Sequence, residues 1–319
     1  MKLSVEDLTA HYVTESYGIV KRVYALESVT FQIGEEEFLA IVGESGCGKT
    51  TLARIVYGAV TPQLHIVNGS VRYFFGGTTY EISSRQNSVK NLWWKKVSYI
   101  PQGSLNVLNP MRRVRDIVKD LETSHGIEIP EEKIKQHLET LKLPSHVLNM
   151  YPFELSGGMR QRVVIALATI LQPELIIADE PTSALDVVVQ YEILQLLKEI
   201  QSQRRCSFIF ITHDISLIPN LADTLMIMYG GHLVEYGRCK EVLSNPQHPY
   251  TRFLISSIPR IGDKREKASI PGYPPDLTNP PPGCRFHPRC PYVKKECLSE
   301  NPPVLEVGPK HYVKCWLFG

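Results

Sequence analysis

Residues Gly43 to Thr51 read G-E-S-G-C-G-K-T-T, placed between an apolar strand-forming run, Phe38-Leu-Ala-Ile-Val42, and a helical pattern over Leu52 to Tyr57. A glycine-rich loop with a strand before it and a helix after it places the chain among α/β proteins that hold phosphates. Gly43, Gly46 and Gly48 let the backbone turn tightly and bring its N–H groups close to an anion. The N-terminus of the helix adds a partial positive charge at the same point. Lys49 is spaced to reach the β- and γ-phosphates, and the Thr50 hydroxyl to ligate Mg²⁺. Glu44, Ser45, Cys47 and Thr51 complete the loop. A chance lysine in a glycine-rich turn would lack the flanking strand and helix.

Leu175-Ile-Ile-Ala-Asp179 is a second apolar strand, and it ends in an acid followed at once by Glu180. Open α/β sheets bind ligands at the C-terminal edges of their strands. Asp179 is the candidate Mg²⁺ partner, held through water, and Glu180 the candidate base for the attacking water. Taken alone the segment reads equally well as a surface strand end; the loop at Gly43 gives it its phosphate chemistry.

The 319 residues suggest two domains at about 150 residues each. A 43% hydrophobic share is that of a globular chain, and a net charge of +2 gives no reason to expect nucleic acid or acidic lipid as a partner. No apolar stretch approaches the roughly 20 residues of a membrane span, and Met-Lys-Leu-Ser-Val-Glu-Asp has no signal-peptide core. The expected location is cytosolic.

Residues 1 to 102 alternate strands and turns around the loop. Val114 to Leu121 and Ile134 to Leu141 carry helical spacing, with Pro130 suited to a helix start. A helix is expected from Met159 to Leu171, and an amphipathic one over Val187 to Gln201. Strands are expected at Phe208 to Ile211 and Thr224 to Tyr229, with residues 230 to 237 as a hairpin. The predicted organisation is a nucleotide-binding domain over 1–262, with a helical subdomain at about 103–172, and an extension over 263–319.

Six strings stand together in a familiar order: G-E-S-G-C-G-K-T-T, Gln102 after Ser98-Tyr-Ile-Pro101, L-S-G-G-M-R-Q-R at 155–162, L-I-I-A-D-E-P, S-A-L-D at Ser183 to Asp186, and T-H-D with His213. On these the chain resembles the nucleotide-binding subunit of an ABC transporter, over most of its length. The resemblance implies a P-loop NTPase core of ABC type, with a β-rich N-terminal part, a helical subdomain and, here, a Pro- and Cys-rich C-terminal extension. Ser156, Gly157 and Gly158 open a helix whose N–H groups form a second anion site. A serine–glycine N-cap uses the same donors. The resemblance implies that these residues close on the γ-phosphate held by another subunit of a dimer. It also implies that His213 contacts the γ-phosphate, although a lone His at a strand end is usually structural. Gln102 resembles the residue that senses Mg²⁺, and Asp186 the one that crosses the dimer interface. An aromatic residue stacks on adenine in this family; Tyr12 has the best register, with Tyr17 and Tyr24 close behind.

After about Gly262, six prolines crowd into residues 271–282, with little helical or strand periodicity. Such a segment is expected to be irregular and to bury little apolar surface by itself. Cys284, Cys290, Cys297 and Cys315 lie in it, spaced C-x5-C-x6-C-x17-C, and they suggest a staple. Cys47, Cys206 and Cys239 read as packing residues. A reducing cytosol disfavours disulfides. Zinc usually uses a close C-x-x-C pair, and four thiolates also hold iron–sulfur clusters; ligand chemistry alone leaves both open and slightly favours zinc. Pro246-Gln-His-Pro-Tyr-Thr251, Ile270-Pro-Gly-Tyr-Pro-Pro275, residues 283–291, Tyr151-Pro-Phe-Glu-Leu-Ser156 and Leu108-Asn-Pro110 resemble the dipeptide and oligopeptide importer ATPases. That branch implies a [4Fe-4S] cluster on the four cysteines, with Arg285, His287 and Arg289 lending charge or hydrogen bonds around it.

The resemblance implies ATP and Mg²⁺ as ligands and a second ABC ATPase, commonly a paralogue, as partner. It further implies two transmembrane permeases, an extracytoplasmic substrate-binding protein and a station on the cytoplasmic face of the membrane. Di- and oligopeptides are the first cargo, with nickel or oligosaccharide as alternatives. A soluble ABC ATPase that remodels DNA or ribosomes is the reading from another class. Such proteins usually carry two ATPase cores or a long coiled coil.

Overall fold

A computed structural model describes residues 1–16, 18–82, 89–103, 107–258 and 270–319. Tyr17 and the expected domain boundary at 262/263 lie outside the described residues. The chain divides into two compact units, one formed by Met1–Asn91 with Ile209–Gly319, the other by Leu92–Phe208.

The first unit opens with β1 (Leu3–Ser16) and β2 (Ile19–Ile33). There follow β3 (Phe38–Val42), α1 (Lys49–Tyr57), β4 (Leu64–Phe75) and β5 (Thr78–Ile82). Strands β2, β1, β4 and β5 form, in that order, an antiparallel sheet. All five residues of β3 are buried, the unbroken apolar run expected of a parallel strand covered on both faces. Helix α1 ends at Gly58, whose left-handed backbone (φ 81°) lets its N–H return to the carbonyls of Arg54 and Ile55. It starts at Lys49, three residues earlier than the apolar pattern implies, because the phosphate loop itself winds into the first turn.

The second unit holds β6 (Val97–Ile100), α2 (Val114–His125), α3 (Glu131–Thr140), α4 (Gly157–Thr169), β7 (Leu175–Asp179) and α5 (Val187–Arg204). Strands β6 and β7 pair in parallel. Three side chains set its helix ends and its interior. Ser156 Oγ accepts the Met159 N–H at 3.2 Å, and Asp186 accepts those of Val188 and Val189 at 3.1 and 3.0 Å. Buried His137 is held by both ring nitrogens: Arg204 donates to Nδ1 at 2.8 Å, and Nε2 lies 3.0 Å from the Ala166 carbonyl. Its pKa is lowered to about 4, by burial first and then by the Arg204 charge.

The chain returns to the first unit through β8 (Ser207–Thr212), β9 (Thr224–Tyr229), β10 (His232–Arg238), α6 (Cys239–Ser244) and α7 (Pro249–Ser256). Strands β9 and β10 are joined by Gly230-Gly231, both at positive φ (54° and 83°), a two-residue hairpin turn. Residues 270–282 hold no helix or strand, as expected of the proline-rich segment, but the chain beyond them adds order that the sequence did not announce. It forms β11 (Val304–Gly308) and β12 (His311–Lys314), and β12 pairs antiparallel with β10. Within this unit the sheet order is β11-β12-β10-β9-β3-β8, with β3 parallel to β9. The tail needs no core of its own because it joins one. Phe286, 1% exposed, packs among Tyr229, Tyr250, His248 and Phe253, with ring centroids 5.0, 5.5, 5.6 and 6.5 Å away. Among the described residues no helix is long and apolar enough to cross a membrane.

Candidate functional site: a phosphate loop and a carboxylate pair

In the first unit, β3 delivers the chain into the loop beside the end of β9, with Val42 opposite Ile227. That proximity dictates the first glycine. A Cβ on Gly43 would lie 2.2 Å from the Met228 carbonyl oxygen and 2.7 Å from Cys47 Sγ. Gly48 stands at φ 105° with a Cβ position 2.5 Å from the Ala25 carbonyl, and it starts α1 without a side-chain cap. A helix start with no side-chain cap, following a glycine-rich turn, suits an anion. The buried Lys49 ammonium lies over the loop and donates to the carbonyls of Gly43 at 2.7 Å and Glu44 at 3.0 Å. Thr50 is half-buried, Thr51 and Cys47 are buried, and Ser45 and Gly46 are exposed. Burial raises the Cys47 thiol above its usual range and keeps it neutral beside Lys49. His213 is exposed just beyond β8. Tyr12, opposite Val23 and Leu64 in β1, is half-buried. Tyr24 sits edge-on to His11 at 4.5 Å, and its N–H donates to the Leu277 carbonyl.

In the second unit, the parallel register brings Ile100 opposite Ala178, so the residues two further on, Gln102 and Glu180, leave their strands side by side. Gln102 Nε2 donates to Glu180 Oε2 at 3.0 Å. Asp179, fully buried, accepts the Tyr99 hydroxyl at 2.9 Å. Glu180 takes a left-handed backbone (φ 47°), a conformation that costs a residue with a Cβ about 1 kcal/mol and is often kept at functional sites. Ser156 is exposed and Gly157 and Gly158 half-buried at the start of α4; a Cβ on Gly158 would meet Val189 Cγ1 at 2.9 Å. Asp186 caps α5, whose next turns expose Val187, Val188 and Tyr191 by 80%, 69% and 64%.

The tail presents a third arrangement. Arg285 and Arg289, expected to surround the cysteines, are directed elsewhere. Arg285 pairs with the Glu27 carboxylate and donates to the carbonyls of Gly230 and Tyr24. Arg289 forks onto Glu44, inside the phosphate loop. His287 Nδ1 lies 3.0 Å from the Cys284 carbonyl. Burial, then neighbouring sulfurs, push the Cys284 thiol up to about 12, and burial raises Cys290 and Cys315. The Tyr292 and Lys294 N–H groups donate to the sulfurs of Cys290 and Cys297, both at 3.4 Å. Among the described residues no three His, Cys, Asp or Glu side chains converge as a metal-holding group.

Sequence reasoning missed the Arg289–Glu44 pair, the Tyr250 hydroxyl that accepts the Glu44 N–H, and the Tyr99–Asp179 bond. Only the first had a signal. A carboxylate inside a loop built for phosphates calls for a counter-charge.

The fold is that of an ATP-binding cassette. Residues 26–183 match the ABC transporter family, and residues 234–297 match the C-terminal region of oligopeptide and dipeptide transporters. The chain is 41% identical to the dipeptide transport ATP-binding protein DppD of Caldanaerobacter subterraneus subsp. tengcongensis, covering 99% of this chain and 97% of that one. It is 39% identical to the oligopeptide transport ATP-binding protein OppD of Bacillus subtilis (strain 168), covering 99% and 88%. Among solved structures it is similar to a dimeric, post-hydrolysis ATP-binding cassette bound to ADP and Pi, at TM-score 0.62 and 25% identity, over 74% of this chain and 98% of that one. The chain belongs to the ABC transporter family and is an ATP-hydrolysing transport subunit.

Proposed function

We propose that this chain powers the uptake of di- and oligopeptides through partner permeases, working as one of two ATPase subunits. The observation that carries the cargo class is the C-terminal region at 234–297, matched to oligopeptide and dipeptide transporters and built into the sheet of the first unit. The loop N–H groups and Lys49 hold the triphosphate, with Tyr12 against adenine. Thr50, Asp179 and Gln102 offer the hard oxygen donors that suit Mg²⁺, which would neutralise phosphate charge. Gln102 orients the Glu180 carboxylate. Glu180 accepts a proton from the attacking water as its oxygen bonds to the γ-phosphorus and the bond to the β-phosphate oxygen breaks. His213 positions the same water. Ser156, Gly157 and Gly158 of a second ATPase, a paralogue or a copy, close the site, with Asp186 at the seam. The exposed Val187, Val188 and Tyr191 beside Asp186 give that seam an apolar patch. The permeases hold the subunit at the cytoplasmic face of the membrane and receive cargo from a binding protein outside.

Cys284, Cys290, Cys297 and Cys315 would hold a [4Fe-4S] cluster, with zinc as the second reading, once drawn closer together than the described residues stand. Four thiols of one tail segment and N–H donors on two of the sulfurs are the donor chemistry such a group requires. Protein purified without oxygen is expected to be brown and to bleach in Cys290→Ser; colourless protein with one equivalent of zinc selects zinc.

The cargo is tested in proteoliposomes containing this chain together with the partner ATPase and permeases that copurify with it. Binding protein loaded with a di- or oligopeptide is expected to stimulate ATP hydrolysis. Stimulation by nickel or an oligosaccharide alone overturns the peptide reading.

A further inference from the structure

Glu44 is an odd residue for its position. It lies in a loop that folds around a polyanion, and its side chain is only 23% exposed. A carboxylate there repels the phosphates the loop exists to bind. The structure answers that charge from 245 residues away. Arg289 Nη1 meets Glu44 Oε2 at 2.7 Å and Nη2 meets Oε1 at 3.1 Å, a two-point fork. The guanidinium is itself 5% exposed and fixed on every side. Nε donates to the Pro271 carbonyl at 2.7 Å, Nη1 also reaches the Tyr229 hydroxyl at 3.2 Å, and the group lies over the Tyr229 ring at 5.7 Å.

The rest of Glu44 is held just as firmly. Its N–H donates to the Tyr250 hydroxyl at 2.9 Å, and its carbonyl accepts Lys49 at 3.0 Å. The Gly231 N–H donates to the Cys47 carbonyl, so the turn after Tyr229 supports the far side of the loop. Arg289 thus ties the tail, the end of β9 and the phosphate loop into one hydrogen-bonded block.

We propose that Arg289 is a positioning residue for nucleotide binding: it neutralises Glu44 and fixes the shape of the phosphate loop, so that the C-terminal tail tunes affinity for ATP without touching it. The proposal rests on the phosphate-loop reading of residues 43–51. A tail anchor that served only to stabilise the fold would leave affinity independent of the charge at Glu44. Here that charge decides the outcome, because an Arg289 variant exposes the triphosphate to an uncompensated carboxylate.

The test is a double-mutant cycle on the full chain, read by titration with a fluorescent ATP analogue, with a melting curve for each protein. Arg289→Met is expected to weaken binding by about tenfold or more, the scale of one lost charge-assisted hydrogen bond. In a Glu44→Gln background the same change is expected to alter affinity by no more than about twofold, since no carboxylate remains to neutralise. Arg289→Gln, which keeps hydrogen-bonding capacity without charge, is carried through the same cycle in case the Met variant does not fold. Equal losses in both backgrounds overturn the proposal, as does unchanged affinity in a folded Arg289 variant. Lys49→Ala separates the two readings. Retained binding there refutes the loop assignment itself, whereas its loss beside an unaffected Arg289 variant refutes only the role of Arg289.

Discussion

Replacing Phe286 by alanine measures how far the proline-rich tail is part of the first unit. The ring is 1% exposed and touches four aromatic side chains from β9, the segment after β10, and α7. A phenylalanine buries about 150–250 Å². At about 25 cal/mol per Å² that is roughly 4–6 kcal/mol, an upper estimate because the unfolded chain already covers part of the ring. Measured Phe-to-Ala changes in cores run at about 3–5 kcal/mol, and that range is the expectation here. For a unit of this size each kcal/mol moves the midpoint by about 2–4 °C, so Tm should fall by roughly 6–20 °C. Phe286→Leu keeps most of the volume and should retain most of the stability. Thermal melts followed by circular dichroism supply the numbers, and limited proteolysis should show the tail cut first in the alanine variant. A Tm within about 2 °C of the parent would refute the reasoning, since a ring so placed cannot be removed so cheaply.

In Glu180→Gln the base is lost while size and the neighbouring Asp179 are kept. Hydrolysis should fall by about 10²-fold or more with ATP binding retained and a nucleotide-bound dimer accumulating in sedimentation; near-normal turnover would contradict the assignment. Gly158→Asp places a carboxylate at the start of α4, where a Cβ already meets Val189 at 2.9 Å. Turnover of the complex should vanish while the isolated chain keeps its ATP affinity, and a large loss of affinity in isolation would mean that the motif acts in cis. His137 has a pKa of about 4 in the folded chain against 6.5 unfolded. Between those values only the unfolded chain takes up the proton, so stability falls as pH drops from 6.5 toward 4, by up to about 3 kcal/mol, and is unaffected above that window. The difference in urea midpoint between the parent and His137→Gln should follow that profile; a pH-independent difference would contradict it.

The nucleotide loop, the strands at Phe38–Val42 and Leu175–Asp179 and the helix at Val187 were legible because each is specified locally, by a glycine spacing, an unbroken apolar run or an apolar face at helical spacing. Helix ends were less so. Helix α5 runs three residues past Gln201, ending at Arg204, whose side chain is secured by His137, a partner in another helix. The strands and anchoring contacts of the tail were not foreseen, for the same reason on a larger scale. Its sequence carries no period of its own because its order comes from β10, Tyr229 and two carboxylates, Glu27 and Glu44, more than two hundred residues earlier. Gln102 and Glu180 were named separately, but their contact depends on the register of β6 against β7, which neither strand encodes alone.

The placement of Arg289 also sets a schedule for synthesis. Glu44 is translated 245 residues before the arginine that braces it. At about 5–20 residues per second, the nascent loop waits roughly 12–50 s for its counter-ion. Strand β9 and Tyr250, which also shape the loop, emerge before Arg289, so the ion pair is the last of these supports to be made. A chain broken off before residue 289 never makes it. On the role proposed for Arg289, such fragments would bind nucleotide more weakly than the finished chain, so one long-range ion pair couples nucleotide binding to completed synthesis.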